Sequence, residues 1–323
     1  MKSIGEAQQR LPKEYVEKLY QYFTSSVADR ILQGCTNDRS PSLRVNTLKA
    51  DSRTIMQQLQ QQGIKYNRVL WYSDGLVITN AKERRIEQLD CYHKGEIYLQ
   101  SLSSMIPPLL LRPQTNEKVA DLTAAPGSKS TQLACLMQNR GYILASEIDK
   151  IRVQKLQYNI EKQGASIVEV ICTNGVQVGQ QLPEYFNRIL LDAPCSGEGL
   201  FLITQPQTYR SWRAKLVRRC ISTQRRLFKS AFSALKPGGI LVYSTCTLNP
   251  EENEEIVQEA LDYYGEQLKI LEPALKIPQA MPGLTEVRGK KMHRDLTHAI
   301  RVVPNSLYEG FFCCVLQKRR GSV

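Results

Sequence analysis

The stretch RILLDAPCSGEGLF, residues 188–201, decides the fold. Its apolar run, residues 189–191, is short enough to be a strand buried on both faces, and it ends at Asp192. Ligands of open parallel sheets bind at the carboxyl ends of the strands, so Asp192 and Cys195 stand where chemistry would occur. Taken alone, the segment is equally typical of a Pro/Gly turn whose cysteine is simply a small buried residue.

Composition narrows the class of protein. The 323 residues are 42% hydrophobic, which is enough for a full core and for two domains. No apolar run approaches the roughly 20 residues of a membrane span, and the N-terminal segment lacks a signal-peptide core, so we expect a cytoplasmic protein. Nine cysteines, an odd number without a C-x-x-C pair, argue against a disulfide framework and against a zinc site. We expect reduced thiols and no metal.

The charge indicates an anionic partner. A net charge of +12 and a pI near 9.2 are typical of nucleic-acid-binding proteins, although many basic proteins bind no nucleic acid.

Hydrophobic spacing predicts a small α+β module in the first third of the chain. We expect helices over residues 11–32, 52–62 and 100–111, and strands over residues 43–45, 75–78 and 96–99. Gly63 closes the second helix, and Pro107 and Pro108 are expected to break or kink the third.

From Lys118 onward, strand and helix patterns alternate, which is typical of a doubly wound sheet. The loop TAAPGSKS follows the first strand, and its small residues let a ligand approach the backbone and the amides of a helix beginning near Ser128. This pattern predicts a cofactor loop, with a structural tight turn as the alternative. It is not a phosphate-binding P-loop, because Gly127 is its only glycine.

Two polar residues follow the next strands. Glu147 lies about twenty residues past Gly127, the separation at which nucleoside-binding folds place an acid on ribose hydroxyls, or else it is a solvated surface acid. Asn174 either reads an adenine edge or belongs to a common Asn-Gly turn. Between them, Asp149 is expected to cap a helix whose apolar face includes Ile151 and Leu156.

Residues 209–236 predict a long helix or helix pair that is basic and contains no acid. An ordinary solvated face usually mixes charge signs, so we favour contact with RNA phosphates and bases. The candidate RNA contacts are Arg210, Trp212, Arg213, Arg218 and Arg219.

A second cysteine follows the next strand, residues 240–243. Cys195 and Cys246 are therefore delivered to the same edge of the sheet by two strands near its switch point. Residues 249–252 are expected to open a helix that holds the Cys246 loop. The other seven cysteines are interpreted as packing residues.

Several motifs together resemble a known family. The segments are DLTAAPGSKS, LLDAPCSGEG, YSTCTLNPEENE and EGFF, with RVNTLK and YLQ near the N-terminus. They resemble the Sun/Nop (RsmB/RsmF-type) RNA cytosine-C5 methyltransferases over nearly the whole chain. The resemblance implies an α/β fold: a helical and α+β RNA-recognition-like domain over residues 1–111, and a Rossmann-like class I methyltransferase domain over residues 112–323.

The resemblance also implies a reaction. Cys246 would add to carbon 6 of cytosine, and carbon 5 would then take the methyl group of S-adenosylmethionine. Asp192 would hold the ring nitrogen and exocyclic amine, Cys195 would assist elimination, and Lys129 is a candidate positive neighbour for the thiolate. The base must leave its stack to react.

The implied cofactor residues are Thr123, Ala124, Ala125, Pro126, Gly127, Ser128 and Lys129 around the methionine end, Glu147 on the ribose, Asn174 by the adenine, and Asp192 near the methyl group.

Four departures from the family pattern leave the substrate open between ribosomal RNA and transfer RNA. Asn174 stands where Asp is usual, Thr123 replaces Ala, Ser101-Leu102 replaces an acid-Ala pair, and residues 201–203 replace F-R-K. We expect a monomer, with no appended domain after Arg320.

Three other functions were weighed. A DNA cytosine-C5 methyltransferase would use Cys195 as nucleophile and would not need Cys246. A zinc deaminase needs H-x-E and P-C-x-x-C, which are absent from the sequence. A non-catalytic RNA-binding or ribosome-assembly factor that keeps the fold is the serious alternative.

Overall fold

The computed structural model describes residues 3–320. Three short helices come first in this part of the chain. They are α1 (Ile4–Arg10), α2 (Lys13–Tyr22) and α3 (Ser25–Gly34). The segment predicted to be helical, residues 11–32, forms the two helices α2 and α3, because Phe23 adopts an extended backbone between them. Tyr15 of α2 packs edge-on against Phe201, with ring centroids 4.9 Å apart. The N-terminal helices thus share an apolar cluster with the later half of the chain.

A small antiparallel sheet follows. Its elements are β1 (Ser42–Val45), α4 (Ser52–Gln61), β2 (Tyr66–Arg68), β3 (Gly75–Ile78), α5 (Glu83–Ile86), α6 (Asp90–His93) and β4 (Ile97–Leu99). The strand order is β2-β3-β1-β4. Asp51 caps α4, and Gly63, with φ +68°, follows its end as the sequence predicts. The sheet has its own core, which includes Leu43, Ile55 and Leu76.

The helix α7 (Leu102–Leu111) joins the two sheets. Pro107 and Pro108 lie inside it, so the predicted break is wrong. Pro108 cannot donate to the carbonyl of Ser104. That carbonyl instead accepts a hydrogen bond from Nε2 of Gln100, at 3.1 Å. The free-energy cost of placing Pro108 inside the helix is therefore reduced.

Parallel strands form the centre of the second sheet. In chain order, the elements are β5 (Lys118–Asp121), α8 (Ser128–Leu136), β6 (Tyr142–Glu147), α9 (Lys150–Gln163), β7 (Val168–Cys172), α10 (Gly175–Gln181), β8 (Phe186–Asp192), α11 (Ala214–Ala234), β9 (Leu235–Thr245) and α12 (Glu254–Tyr264). The strands β5 to β9 pair in parallel in the order β9-β8-β5-β6-β7. The order reverses at β5, which creates the switch point that the alternating pattern predicted.

Antiparallel strands extend the sheet beyond β9. They are β10 (Leu268–Ile270), β11 (Met281–Pro282), β14 (Ile300–Val302) and β15 (Phe311–Lys318), while β12 (Glu286–Val287) and β13 (Lys290–Lys291) form a separate hairpin. β15 pairs with β9. Within residues 3–320, no helix combines the length and the apolar character needed to cross a membrane.

Three local predictions need correction. The basic segment is not helical from residue 209, because residues 209–211 form a turn, residues 212–213 have no regular structure and α11 begins at Ala214. Ile151 does not join the core face of α9, since it is 67% exposed. Cys172 is exposed at the end of β7 and so is not a packing residue.

A buried ion pair joins α12 to β14. Arg301, 1% exposed, donates from Nε to Glu254 at 2.6 Å and from Nη1 to the carbonyl of Leu248 at 2.8 Å. A second guanidinium nitrogen contacts the other oxygen of Glu254. The guanidinium lies between the rings of Phe23 and Phe312, so one side chain ties the N-terminal helices to the sheet.

We expect Arg301→Leu to lower the free energy of unfolding by about 3–5 kcal/mol, because it leaves the carboxylate of Glu254 buried without a partner. The control is Arg288→Leu, which removes a surface arginine that is 48% exposed and should cost about 1 kcal/mol or less. Urea unfolding followed by circular dichroism measures both. Equal losses in the two variants would contradict the assignment.

Candidate active site at the carboxyl edge of the second sheet

Two cysteine loops leave adjacent parallel strands. Asp192, the last residue of β8, is in register with Ser244 of β9. Cys195 follows β8 and Cys246 follows β9, and their Sγ atoms lie 3.2 Å apart. The amide of Gly199 donates to the carbonyl of Cys246 at 2.9 Å, which joins the two loops directly. The structure therefore brings the two predicted thiols into contact.

A partly buried ion pair lies beside the thiols. Nζ of Lys129, in the first turn of α8, lies 2.7 Å from Oδ2 of Asp192. The other oxygen of Asp192 accepts a hydrogen bond from Oγ of Ser244, at 2.7 Å. Burial alone would lower the pKa of Lys129, but Asp192, Asp121 and Cys246 together raise it. Lys129 is therefore a fixed positive charge near the sulfur atoms.

The environment of Cys195 favours its protonated form. The pKa of Cys195 lies well above its usual range, first because of its hydrogen bond with Cys246 and then because of burial. Cys195 therefore retains its proton and can donate it to the neighbouring sulfur.

A cavity of about 610 Å³ runs from the cysteines along the carboxyl ends of β5, β6 and β7. Its walls include Thr123, Ala125, Glu147, Ile148, Asn174 and Asp192, so several residues predicted to hold a cofactor line one space. Ala124 is buried, Pro126 is exposed and Ser128 begins α8. The opposite wall is formed by α11 through Arg219, Ser222, Thr223 and Arg226.

The loop after β5 is held close to its neighbours. Gly127 has φ +107°, and a Cβ there would lie 3.0 Å from Leu156. Only glycine satisfies both conditions without strain. Thr123 donates from Oγ1 to the carbonyl of Asp192 at 2.8 Å, which fixes the loop to the end of β8.

Glu147 and Asn174 have fixed orientations. One oxygen of Glu147 accepts from the amides of Ile148 and Asp149, at 2.9 and 3.0 Å. Its other oxygen pairs with Arg152 at 3.1 Å. Oδ1 of Asn174 accepts from the amide of Val176 and caps α10, so this residue is both part of a turn and part of the cavity wall.

Sequence reasoning missed several residues. Asp121 ends β5 just before the cofactor loop, and burial raises its pKa to about 6. Oδ1 of Asp121 is buried and has no partner in the described part of the chain. Ile148 is 63% exposed on the cavity wall, an unusual place for an apolar side chain, and its position next to Glu147 was the available signal. Arg226 lies seven residues after Arg219 on α11, and helical periodicity could have found it.

The candidate RNA contacts divide into two groups. Arg210, Arg213, Arg218 and Arg219 are exposed, as the prediction requires. Trp212 is 3% exposed and donates from Nε1 to Glu198 at 3.0 Å, so the prediction that it stacks on a base is wrong. A buried ring that anchors a carboxylate cannot face RNA without unfolding the loop.

The departures from the family pattern have local explanations. Ser101 donates to Glu309 at 2.7 Å, so the serine binds the acid of the EGFF motif. Residues 201–203 are buried in the cluster beneath α2, which leaves no room there for the charges of F-R-K. Within residues 3–320, no group of three or more histidine, cysteine or acidic side chains could hold a metal ion.

Comparisons with known proteins agree with this architecture. Residues 108–317 match the family 16S rRNA methyltransferase RsmB/F, and residues 11–102 match the N-terminal domain of 16S rRNA methyltransferase RsmF. Ribosomal RNA small subunit methyltransferase F of Cronobacter sakazakii is 39% identical over 313 residues, which cover 95% of this chain and 63% of that relative. The same protein of Serratia proteamaculans is 36% identical over 95% of this chain and 63% of its own length. The chain thus spans less than two thirds of these relatives.

Solved structures show the same fold. A methyltransferase homologue from Pyrococcus horikoshii superimposes with a TM-score of 0.84 at 32% identity, covering 98% of both chains. NSun6 from Pyrococcus horikoshii, at 22% identity and a TM-score of 0.81, covers 97% of this chain and 100% of its own. The sheet order and the N-terminal module define a Rossmann-like methyltransferase fold, as predicted. The chain belongs to the 16S rRNA methyltransferase RsmB/F family.

We expect Trp212→Phe to lower the free energy of unfolding by about 1–3 kcal/mol, because the buried carboxylate of Glu198 loses a donor. Its affinity for single-stranded RNA should not change. Arg218→Gln should do the reverse, with stability within about 0.5 kcal/mol of the wild type and a shallower dependence of RNA binding on salt. Urea unfolding and fluorescence anisotropy with a labelled oligonucleotide measure the two effects. Weaker RNA binding by a folded Trp212→Phe variant would show instead that Trp212 contacts RNA.

Proposed function

We propose that this chain is an RNA (cytosine-C5)-methyltransferase that uses S-adenosylmethionine and a covalent bond to Cys246. The observation that carries the proposal is the contact between the sulfurs of Cys195 and Cys246, 3.2 Å apart, beside the Lys129–Asp192 ion pair. Carbon 5 of cytosine is a poor nucleophile, and addition of a thiolate to carbon 6 makes it reactive. One thiol to attack and another to assist release suit that chemistry.

We propose a cytosine of small-subunit ribosomal RNA as the substrate, because the relatives carry that substrate in their names. The exposed arginines of α11 would bind RNA phosphates, since Arg219 and Arg226 line the cavity that holds the thiols. The small sheet with β1 to β4 would contact RNA farther from the target base. We also propose that residues 1–111 and 112–323 act as RNA-recognition and methyltransferase units.

The cavity suits S-adenosylmethionine, which would supply an electrophilic methyl group. Glu147 offers a fixed carboxylate to ribose hydroxyls, and Ile148 offers an apolar surface to the purine beside Asn174. The N-terminus of α8 and the unpartnered oxygen of Asp121 offer polar groups to the methionine end. The volume and the donor set therefore fit the cofactor.

The first step would belong to Cys246. Its thiolate, stabilised by Lys129 and by the S–H of Cys195, forms a bond to carbon 6, and the electron pair moves to the ring nitrogen. Asp192 would accept a hydrogen bond from the exocyclic amine, and also from the ring nitrogen once that nitrogen has taken a proton from solvent. Charge thus develops beside a preorganised ion pair in a largely buried site.

The second role would belong to Cys195. Its raised pKa depends first on the hydrogen bond with Cys246, and that bond is lost when the sulfur of Cys246 becomes a thioether. The pKa of Cys195 then falls, so Cys195 can release its proton to solvent, and the thiolate that remains would take the proton from carbon 5. The electrons of that C–H bond restore the ring double bond and expel the Cys246 thiolate.

The test is transfer of labelled methyl from S-adenosylmethionine to small-subunit ribosomal RNA. Cys246→Ala should lose activity by roughly 10³-fold or more, since the nucleophile is absent. Cys195→Ala should accumulate a protein–RNA adduct on denaturing gels, because release is blocked. Cys91→Ala, which alters a buried thiol of the small module, is the control and should remain active.

Active Cys246→Ala protein would refute the nucleophile. A wild type that binds RNA and transfers no methyl group to it would support a non-catalytic assembly factor instead.

We expect Lys129→Met to move the rising limb of the pH–rate profile to higher pH, because the Cys246 thiolate loses its positive neighbour. Lys155→Met, at an exposed site on α9, is the matched control and should leave the profile unchanged. Single-turnover rates over a pH series measure the shift. An unchanged profile in Lys129→Met would exclude this electrostatic role.

A further inference from the structure

Two buried carboxyl groups lie behind the cysteine loops. Glu198 follows the Cys195 loop and is 4% exposed, and Glu252 follows the Cys246 loop and is 0% exposed. Neither forms an ion pair among residues 3–320. Two negative charges buried so close together without a cation would be very unfavourable. Their environment therefore requires another way of neutralising charge.

Hydroxyl groups connect the two acids. Oγ of Ser196 lies 2.5 Å from Oε2 of Glu252 and 3.1 Å from Oγ1 of Thr247. Oγ1 of Thr247 lies 3.2 Å from Oε2 of Glu198. The result is a chain of three hydrogen-bond links with a carboxyl group at each end.

The chain needs one more proton than the hydroxyls can supply. Three links require three hydrogens, and Ser196 and Thr247 carry one hydroxyl hydrogen each. If both acids were ionised, each hydroxyl would donate to its own carboxylate, and the contact between Ser196 and Thr247 would contain no hydrogen. A proton on either acid fills all three links and leaves a single charge.

We propose that Glu198 and Glu252 share one proton through Ser196 and Thr247, and that this pair positions both cysteine loops for reaction. The positioning role rests on the proposed function, whereas the shared proton does not. Both glutamates are positioning residues, since they act through the loops rather than on substrate. The hydroxyl chain bridges the two loops next to their thiols, because Ser196 follows Cys195 and Thr247 follows Cys246.

Other hydrogen bonds hold the same hydroxyl chain in place. The amide of Ser196 donates to Oε1 of Glu252 at 2.9 Å. Gln224 of α11 donates to that oxygen at 3.1 Å and to the carbonyl of Pro194 at 3.0 Å. At the other end, Trp212 fixes Glu198. A broken link would let the sulfurs separate, and an error of about 1 Å in position can cost 10²-fold in rate.

The electrostatics agree with the proton count. Burial raises the pKa of Glu252 to about 8, with the charge of Glu198 as the next cause. Burial also raises the pKa of Glu198, against the donors Trp212, Asn249 and Thr247 and the positive charge of Lys18. The other titratable groups that face Glu252 are Cys195, Cys220 and Tyr243, whose pKa values are all raised, so all three are neutral near pH 7.

Infrared difference spectroscopy tests the shared proton without any assay of activity. Wild-type protein near pH 7 should show the carbonyl band of a protonated, buried carboxyl group, and the band should disappear as the pH rises through about 8. Glu252→Gln and Glu198→Gln should each abolish it, because the remaining acid is then ionised. Asp121→Asn, which removes the other acid of raised pKa, should leave the band at pH 7. Absence of the band in wild type would overturn the proposal.

The stability of glutamine variants tests the directions of the hydrogen bonds in this hydroxyl chain. A glutamine amide at either end supplies the missing hydrogen, so each single variant should unfold near the wild-type urea concentration. In the double variant Glu198→Gln/Glu252→Gln, both ends of the hydroxyl chain donate, so one hydroxyl hydrogen has no acceptor. The decrease in the free energy of unfolding should therefore exceed the sum of the decreases in the two single variants. Additive losses would overturn the shared-proton chain. If the double variant does not fold, the infrared carbonyl band of the wild type and its pH dependence decide whether the proton is shared.

Kinetics test the positioning. Thr247→Val removes two links and should slow methyl transfer by about 10²-fold with little change in the binding of S-adenosylmethionine. Thr247→Ser keeps the hydroxyl and should restore the rate. Equal rates in the two variants would overturn the positioning role. Failure of wild type to methylate RNA while the infrared band is present would instead count against the proposed function alone.

Discussion

The parallel pairing of β8 with β9 is the constraint on which the site depends. Register places Asp192 opposite Ser244, and every later residue of the two loops inherits that alignment. Because parallel strands end at the same edge, two cysteines 51 positions apart meet at 3.2 Å without any covalent link. The neighbouring pairing of β5 with β8 brings Lys129 to Asp192 by the same geometry. The site is thus a consequence of sheet topology as much as of side-chain chemistry.

Charged groups in this region are neutralised in two ways. Arg301 neutralises Glu254 in an ion pair that is almost completely buried, and Lys129 neutralises Asp192 in a partly exposed ion pair beside the thiols. Within residues 3–320, Glu198 and Glu252 form no ion pair, so hydrogen bonds and a proton must serve instead. Such networks stabilise only when every member is satisfied. This requirement explains why residues from both cysteine loops and from α11 converge there.

The sequence predicted what is local or repetitive. Alternating strands and helices indicated the doubly wound sheet, and the Cys195 and Cys246 loops could be placed on one edge before their distance was known. It could not predict what depends on partners distant along the chain. Trp212 looks like a base-stacking residue among arginines until Glu198 is found beneath it. Glu252 looks like a simple acid at a helix start, yet it lies buried against Ser196.

The basic helix α11 is coupled to the chemistry through one buried side chain. Its exposed arginines face solvent and the cavity, whereas Gln224 on its inner face binds the carbonyl of Pro194 next to Cys195. The same Gln224 donates to Glu252, which holds Ser196 in turn. The proposed RNA-binding helix α11 and the two cysteine loops thus share one short chain of hydrogen bonds.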